Sequence, residues 1–194
     1  MTDKNILIVG VGGQGTLLAS RILGNVAINT GNDVKVSEVH GMSQRGGNVV
    51  TYVKMGEKIY SPTIEKNEAD IILCFEQLEA LRWIDYAKKD ATIIINTQKI
   101  DPMPVVTAKA KYPEGIIEKI KSNYPNVVDM PALDMAQKCG SSKAVNVVMI
   151  GVLAKYTGID KEIWIDAIRK TVKPQFIEMN IKAFEAGFNY NVAE

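Results

Sequence analysis

Apolar positions along this chain follow two rhythms, short unbroken runs and stretches that repeat every three to four residues. Their exchange predicts an α/β fold. Ile6, Leu7, Ile8 and Val9 form an unbroken run that ends in glycines, so residues 5–9 read as a strand buried on both faces. Over 14–29, Leu17, Leu18, Ile22, Leu23, Val26 and Ala27 recur at helical spacing while Arg21 and Asn25 fall off the stripe, and Gly31 is placed to stop the helix. Looser alternation of Val34, Val36 and Val39 predicts a strand over 33–39, completing a right-handed βαβ unit.

Val49, Val50, Tyr52 and Val53 predict a strand over 48–55, which a turn at Gly56, Glu57 and Lys58 would fold back into a short strand at Ile59 and Tyr60. Runs at 71–75 and 92–95 predict two more buried strands, separated by a helix over 77–87 with Leu78, Leu81 and Ile84 on one face. Prolines at 102 and 104 mark a loop or an edge, after which Val105 and Val106 could pair, 116–120 could form a helix and 127–130 a last strand. The final third reads as helical: 144–156 with Gly158 as its stop, a helix N-capped by Asp160 that carries Ile163, Trp164, Ala167 and Ile168, and a last helix over 177–186 beyond Pro174. No repeat, low-complexity tract or linker divides residues 1–194, so one domain is expected: an open, largely parallel sheet with a hairpin insertion and C-terminal helices.

Composition narrows the function. The chain has 194 residues, 46% hydrophobic, as a globular core requires, and 23 Lys plus Arg stand against 22 Asp plus Glu. That balance favours neither nucleic acid nor an anionic membrane as partner. No apolar stretch reaches the roughly 20 residues of a membrane span, and residues 1–11 lack the features of a signal peptide, so a cytoplasmic protein is expected. Cys74 and Cys139 stand apart from each other and from the single histidine, His40. Cys74 reads as a core thiol and Cys139, before Gly140, as one that caps or packs a helix, and no iron–sulfur cluster or structural zinc can be built from this chain alone.

The most informative local pattern is Gly10-Val11-Gly12-Gly13-Gln14-Gly15, a GxGxxG between a buried strand and an amphipathic helix. Gly10 can make the tight turn, Gly12 removes a Cβ where a phosphate or another backbone would approach, and Gly15 lets the helix pack close to the sheet. The free N–H groups of the first helical turn would then face a bound anion. Equally, the glycines could make only a tight turn or admit a partner chain. Glu38 lies where a ribose-binding acid would be sought, although a solvated strand-end glutamate is the commoner case.

A second pattern, Glu38 to Gly47, gathers His40, Ser43, Gln44, Arg45, Gly46 and Gly47 into one polar loop. In an open α/β sheet this loop and the glycine turn emerge at the same carboxyl edge, which should bring Arg45 near Gly12–Gly15. Arg45 could grip a phosphate or carboxylate with two prongs, or pair with an acid across a subunit interface. His40 has no companion that would make a catalytic triad and reads as a structural or interface histidine.

Together, GVGGQGTLLASRIL, SEVHGMSQRGGNVV and NVVMIGVLAKYTG resemble the gamma-type domain of the 2-oxoacid:ferredoxin oxidoreductases, and within it the small subunits of the indolepyruvate type. The resemblance covers most of the chain. It implies a Rossmann-like subunit that pairs with a larger catalytic chain to convert arylpyruvates, CoA and oxidised ferredoxin into acyl-CoA, carbon dioxide and reduced ferredoxin. It also implies that thiamine diphosphate and iron–sulfur clusters reside on the larger chain and that ferredoxin is met through the complex. Gly10, Gly12, Gly13, Gln14, Gly15, Ser43, Gln44, Arg45, Gly46 and Gly47 match the family motifs, either as part of a pocket for CoA or another phosphate or as a docking surface. A stand-alone NAD(P)-binding oxidoreductase using the same glycine turn is the alternative. An adenylating enzyme of the ubiquitin-activating type is weakened by the lack of paired CxxC cysteines.

Overall fold

Runs of apolar residues flanked by polar turns set up six strands, and helical periodicity fills the intervals between them. The structure, a computed structural model, describes residues 3–41 and 46–191. Its elements are β1 (Lys4–Val11), α1 (Thr16–Asn29), β2 (Asp33–His40), β3 (Asn48–Gly56), β4 (Ala69–Cys74), α2 (Gln77–Trp83), β5 (Ala87–Asn96), α3 (Met103–Val106), α4 (Ile116–Lys121), β6 (Asn126–Met130), α5 (Ala132–Lys138), α6 (Val145–Lys155), α7 (Lys161–Thr171) and α8 (Ile177–Phe188).

The strands join in the order β2-β3-β1-β4-β5-β6. β1, β4, β5 and β6 pair in parallel, whereas β3 is antiparallel to both β1 and β2. Only β3 is therefore reversed, and β2 runs in the same direction as β1 although the two do not touch. The expected βαβ unit is split by β3. The hairpin is also displaced: β3 pairs antiparallel with β2, which precedes it, and Ile59 and Tyr60 form no strand. Instead the Ile59 N–H donates to Asp33 Oδ2 (3.0 Å), which ties the segment after β3 to the start of β2.

Successive side chains of the strands point to opposite faces. Ile6, Ile8, Val53, Leu73 and Ile94 meet α1 and α5–α8 on one face, while Leu7, Val9, Ile72, Ile93 and Ile95 meet α2 and α4 on the other. α6 departs from the amphipathic expectation, because every residue from Val145 to Ala154 is buried, as befits a helix covered on all sides. α1 keeps Ala19, Ile22, Leu23 and Val26 inside, but Leu17 lies on the opposite side of the helix and is 47% exposed. Val105 and Val106 lie in the short exposed helix α3 and pair with no strand, and Cys139 caps α5, the helix that follows Pro131.

α6 and α8 pack with their backbones in contact. A Cβ on Gly151 would strike the Phe184 carbonyl, and one on Gly187 would strike the Val148 carbonyl. Neither neighbour can yield, since both are helical backbone. Gly151→Ala and Gly187→Ala should each destabilise the protein by about 3 kcal/mol or more, at the upper end for an overpacked core. Gly24→Ala, at a helical site with open space, should stabilise it by about 0.5–1 kcal/mol. Denaturant midpoints of the three variants check both expectations.

Candidate functional site

The carboxyl ends of β1, β2, β4 and β5 meet at the glycine turn. Gly10 lies within β1 and does not make the turn: a Cβ there would sit 2.9 Å from Gln14 Oε1 and 3.0 Å from Phe75 Cβ, so its role is close packing. The Gly12 N–H donates to the Gly47 carbonyl (2.8 Å), and the Gly46 N–H reaches the Gly12 carbonyl (3.4 Å). The glycines of the two sequence patterns thus meet as paired backbones, which extends the β1–β3 ladder by one step. Another backbone, and not a phosphate, occupies the approach to Gly12. Ser43, Gln44 and Arg45 lie outside the described residues, as does the expected approach of Arg45 to the turn.

Gln14 staples the strand ends: its Oε1 accepts from the Val11 N–H (2.8 Å) and its Nε2 donates to the Phe75 carbonyl (2.9 Å). Gly13 and Gly15 have φ of +102° and +85°, which L side chains adopt only with strain. The space around Gly13 is open, whereas a Cβ on Gly15 would collide with the Asn146 amide, which donates to the Gly15 carbonyl (3.2 Å). Gly15 therefore admits the start of α6, and not the sheet as its position in the motif suggested. Among the described residues no side chain caps α1, so the N–H groups of Thr16 and Leu17 remain directed at the surroundings of the turn.

Two cavities flank the turn and share Gly13 and Gly15. One, of about 400 Å³, is bounded by Gly12, Thr16, Leu17, Glu38, His40 and Val49. Glu38 stands in its wall, held by the hydroxyls of Thr51 (3.1 Å) and Thr16 (3.3 Å). It is thus a placed carboxylate and not an idle strand end. His40 is exposed, with Nδ1 2.9 Å from the Gly41 carbonyl. The other cavity, of about 450 Å³, is bounded by Gln14, Leu18, Gln98, Leu133, Ser142, Lys143, Val145 and Asn146. Gln98, Lys143 and Asn146 escaped the sequence reading. Asn146 carried a usable signal, being the polar interruption of the apolar stretch that became α6.

The two cavities differ in electrostatics. A carboxylate in the first repels an anion, whereas the second combines an ammonium group, a hydroxyl and the free end of α1. Next to the turn, buried Glu76 caps α2 by accepting from the Glu79 N–H (3.0 Å), and it also takes the Ile100 N–H (3.1 Å) and the Tyr112 hydroxyl. Burial and the bond to Glu76 hold the Tyr112 hydroxyl well above its ordinary range. Glu79 is buried as well. Its Oε1 lies 2.7 Å from Arg82, while Oε2 has no partner among the described residues.

Burial raises the Glu79 carboxyl above its ordinary value, with the neighbouring Arg82 opposing the rise. The unfolded chain then releases this proton at lower pH than the folded one, so its contribution to stability falls as pH rises through the folded value. Glu79→Gln removes the titrating group. Between pH 4.5 and 7.5 the variant should gain stability relative to the parent, read as the difference between their urea midpoints at the two ends. Gly15→Ala, by contrast, should lower the stability at every pH by about 2 kcal/mol or more, from φ strain together with the collision at Asn146, read as a lower urea midpoint.

Residues 5–190 match the family model described as pyruvate ferredoxin/flavodoxin oxidoreductase. The chain is 39% identical to the indolepyruvate oxidoreductase subunit IorB of Archaeoglobus fulgidus, with 97% of this chain and 96% of the relative aligned. It is 40% identical to the IorB subunit of Thermococcus kodakarensis, with 96% and 95% aligned. The fold superposes on the pyruvate oxidoreductase subunit PORC of Thermotoga maritima with a TM-score of 0.74 at 20% identity, over 97% of this chain and 96% of the other. This chain belongs to the pyruvate ferredoxin/flavodoxin oxidoreductase family.

Proposed function

We propose that this chain is the small subunit of a cytoplasmic, ferredoxin-dependent oxidoreductase that acts on arylpyruvates of the indolepyruvate type. With CoA and oxidised ferredoxin, the assembly yields acyl-CoA, carbon dioxide and reduced ferredoxin. The observation that carries this reading is the identity of 39–40% to IorB subunits over nearly the full length of both partners. The chemistry points to a division of labour. Decarboxylating a 2-oxo acid needs an electron sink, and reducing ferredoxin needs redox centres. Thiamine diphosphate and iron–sulfur clusters on a larger partner chain supply these. This chain has two cysteines, Cys74 sealed in the core and Cys139 at the end of α5, with no companion thiols.

The part left to this chain is to bind and position. Of the two cavities at the glycine turn, the one with Lys143 and Ser142 fits a phosphate of CoA. There Gly13 leaves the backbone open and, among the described residues, the first turn of α1 is uncapped and no carboxylate lies in the wall. The Glu38 cavity fits a cationic or hydroxyl-bearing group, and with the exposed Leu17 beside it suits contact with the partner chain. A dinucleotide is less well served, because the Gly12 N–H that would face its pyrophosphate is bonded to Gly47.

Ferredoxin reduction, followed anaerobically with arylpyruvate and CoA, should appear only when the 194-residue chain and its larger partner are combined. Steady turnover by the small chain alone, or reduction coupled to NAD, would overturn the subunit reading. In the reconstituted complex Lys143→Gln should raise KM for CoA about tenfold with little change in kcat, as expected for loss of one charge-assisted contact to phosphate. An unchanged KM would remove CoA from this cavity.

A further inference from the structure

Pro174 ends the helical run of α7, and a 3₁₀ turn at Pro174–Phe176 swings the chain into α8. The corner leaves a cavity of about 340 Å³ against the first turns of α1, which adjoins the second cavity of the glycine turn through Leu18 and Lys143. Its wall is largely apolar, made by Leu18, Val172, Phe176 and Met179. Phe176 is 43% exposed, whereas Phe75 and Phe184 are fully buried, so the corner presents an aromatic ring without an interior to hold it.

Three polar groups interrupt this wall. Lys143 and Lys173 border it, and among the described residues neither forms an ion pair. Asn180 is 6% exposed; its amide donates to the Phe176 carbonyl (2.8 Å), while its Oδ1 accepts no hydrogen bond among the described residues. Ser141 and Thr171 are already engaged, the first by the Lys143 N–H and the second by Asn25 and the Ala167 carbonyl. The cavity thus offers an apolar slot, two unpaired ammonium groups and one nearly buried acceptor. A neutral apolar ligand would leave the charges unanswered, and a bare inorganic anion would leave the slot empty.

We propose that this cavity binds an aromatic carboxylate. The ring lies among Leu18, Val172, Phe176 and Met179, the carboxylate faces Lys173, which lines this cavity alone, and a ring N–H, where the ligand has one, meets Asn180 Oδ1. The site rests on these side chains; only the choice of indole-3-acetate as first probe rests on the arylpyruvate reading above.

The full chain is titrated with indole-3-acetate while the Met179 methyl resonance is followed. A saturable shift is expected, with a Kd of about 1 mM or tighter for a ligand of this size. Lys173→Gln should weaken binding about threefold and Phe176→Ala about tenfold. Phe176→Leu, which keeps the bulk without the ring, replaces Phe176→Ala if the latter lowers the melting temperature. Absence of a saturable shift, or a shift that both substitutions leave unchanged, overturns the site. Equal binding of hexanoate overturns the aromatic class, and equal binding of indole overturns the role of Lys173. A reconstituted complex without turnover but with the Met179 shift intact refutes the assembly reading and leaves this site standing. An active complex without the shift does the reverse.

Discussion

The backbone pair between Gly12 and Gly47 determines what the glycine turn can do. It exists because β3 runs against its neighbours and delivers its first residues to the carboxyl end of β1. In a sheet with β2 beside β1, the N–H of the second glycine would be directed at whatever lies above the edge. Here it is satisfied within the sheet, and the open donors move one step on, to Gly13 and the start of α1. The turn itself divides the space above the edge, with Glu38 and His40 on one side and Lys143 and Asn146 on the other. A nucleotide-type turn thereby becomes a partition between two surfaces of opposite character.

Much of this fold was legible in the sequence wherever a local rule decided the outcome. The runs at Ile6–Val9 and Ile71–Cys74 could be buried on both faces only as central strands, and Asp160 capped α7 through its bond to the Glu162 N–H as its position implied. Partner choice was not legible. The alternation in β2 announces a strand, but its side-chain pattern is the same whether the neighbour is β1 or β3, because the difference lies in backbone bonds formed over long separations. Val105 and Val106 show the limit of residue preference: β-branched side chains favour a sheet only when one is present to receive them, and after Pro102 the chain makes a helical turn in solvent.

The site divides along the same line. Sequence placed the glycines together at one edge, because the direction of strands is a topological matter that a βα rhythm reveals. It did not place Gln98 or Lys143, which arrive from the segment after β5 and from the approach to α6, nor assign a partner to Glu38. Hydroxyls from two different elements, Thr16 on α1 and Thr51 on β3, fix that carboxylate, and nothing in the spacing of residues 16, 38 and 51 foretells their meeting.

The close contact of α6 with α8 also has a consequence for how the protein folds. α6 is buried along its length, and its most extensive partner is α8, with the sheet, α1 and α5 covering the rest. A folding intermediate in which α8 has not yet docked therefore exposes the long apolar surface of a helix with no polar face, and that is the species most prone to aggregate.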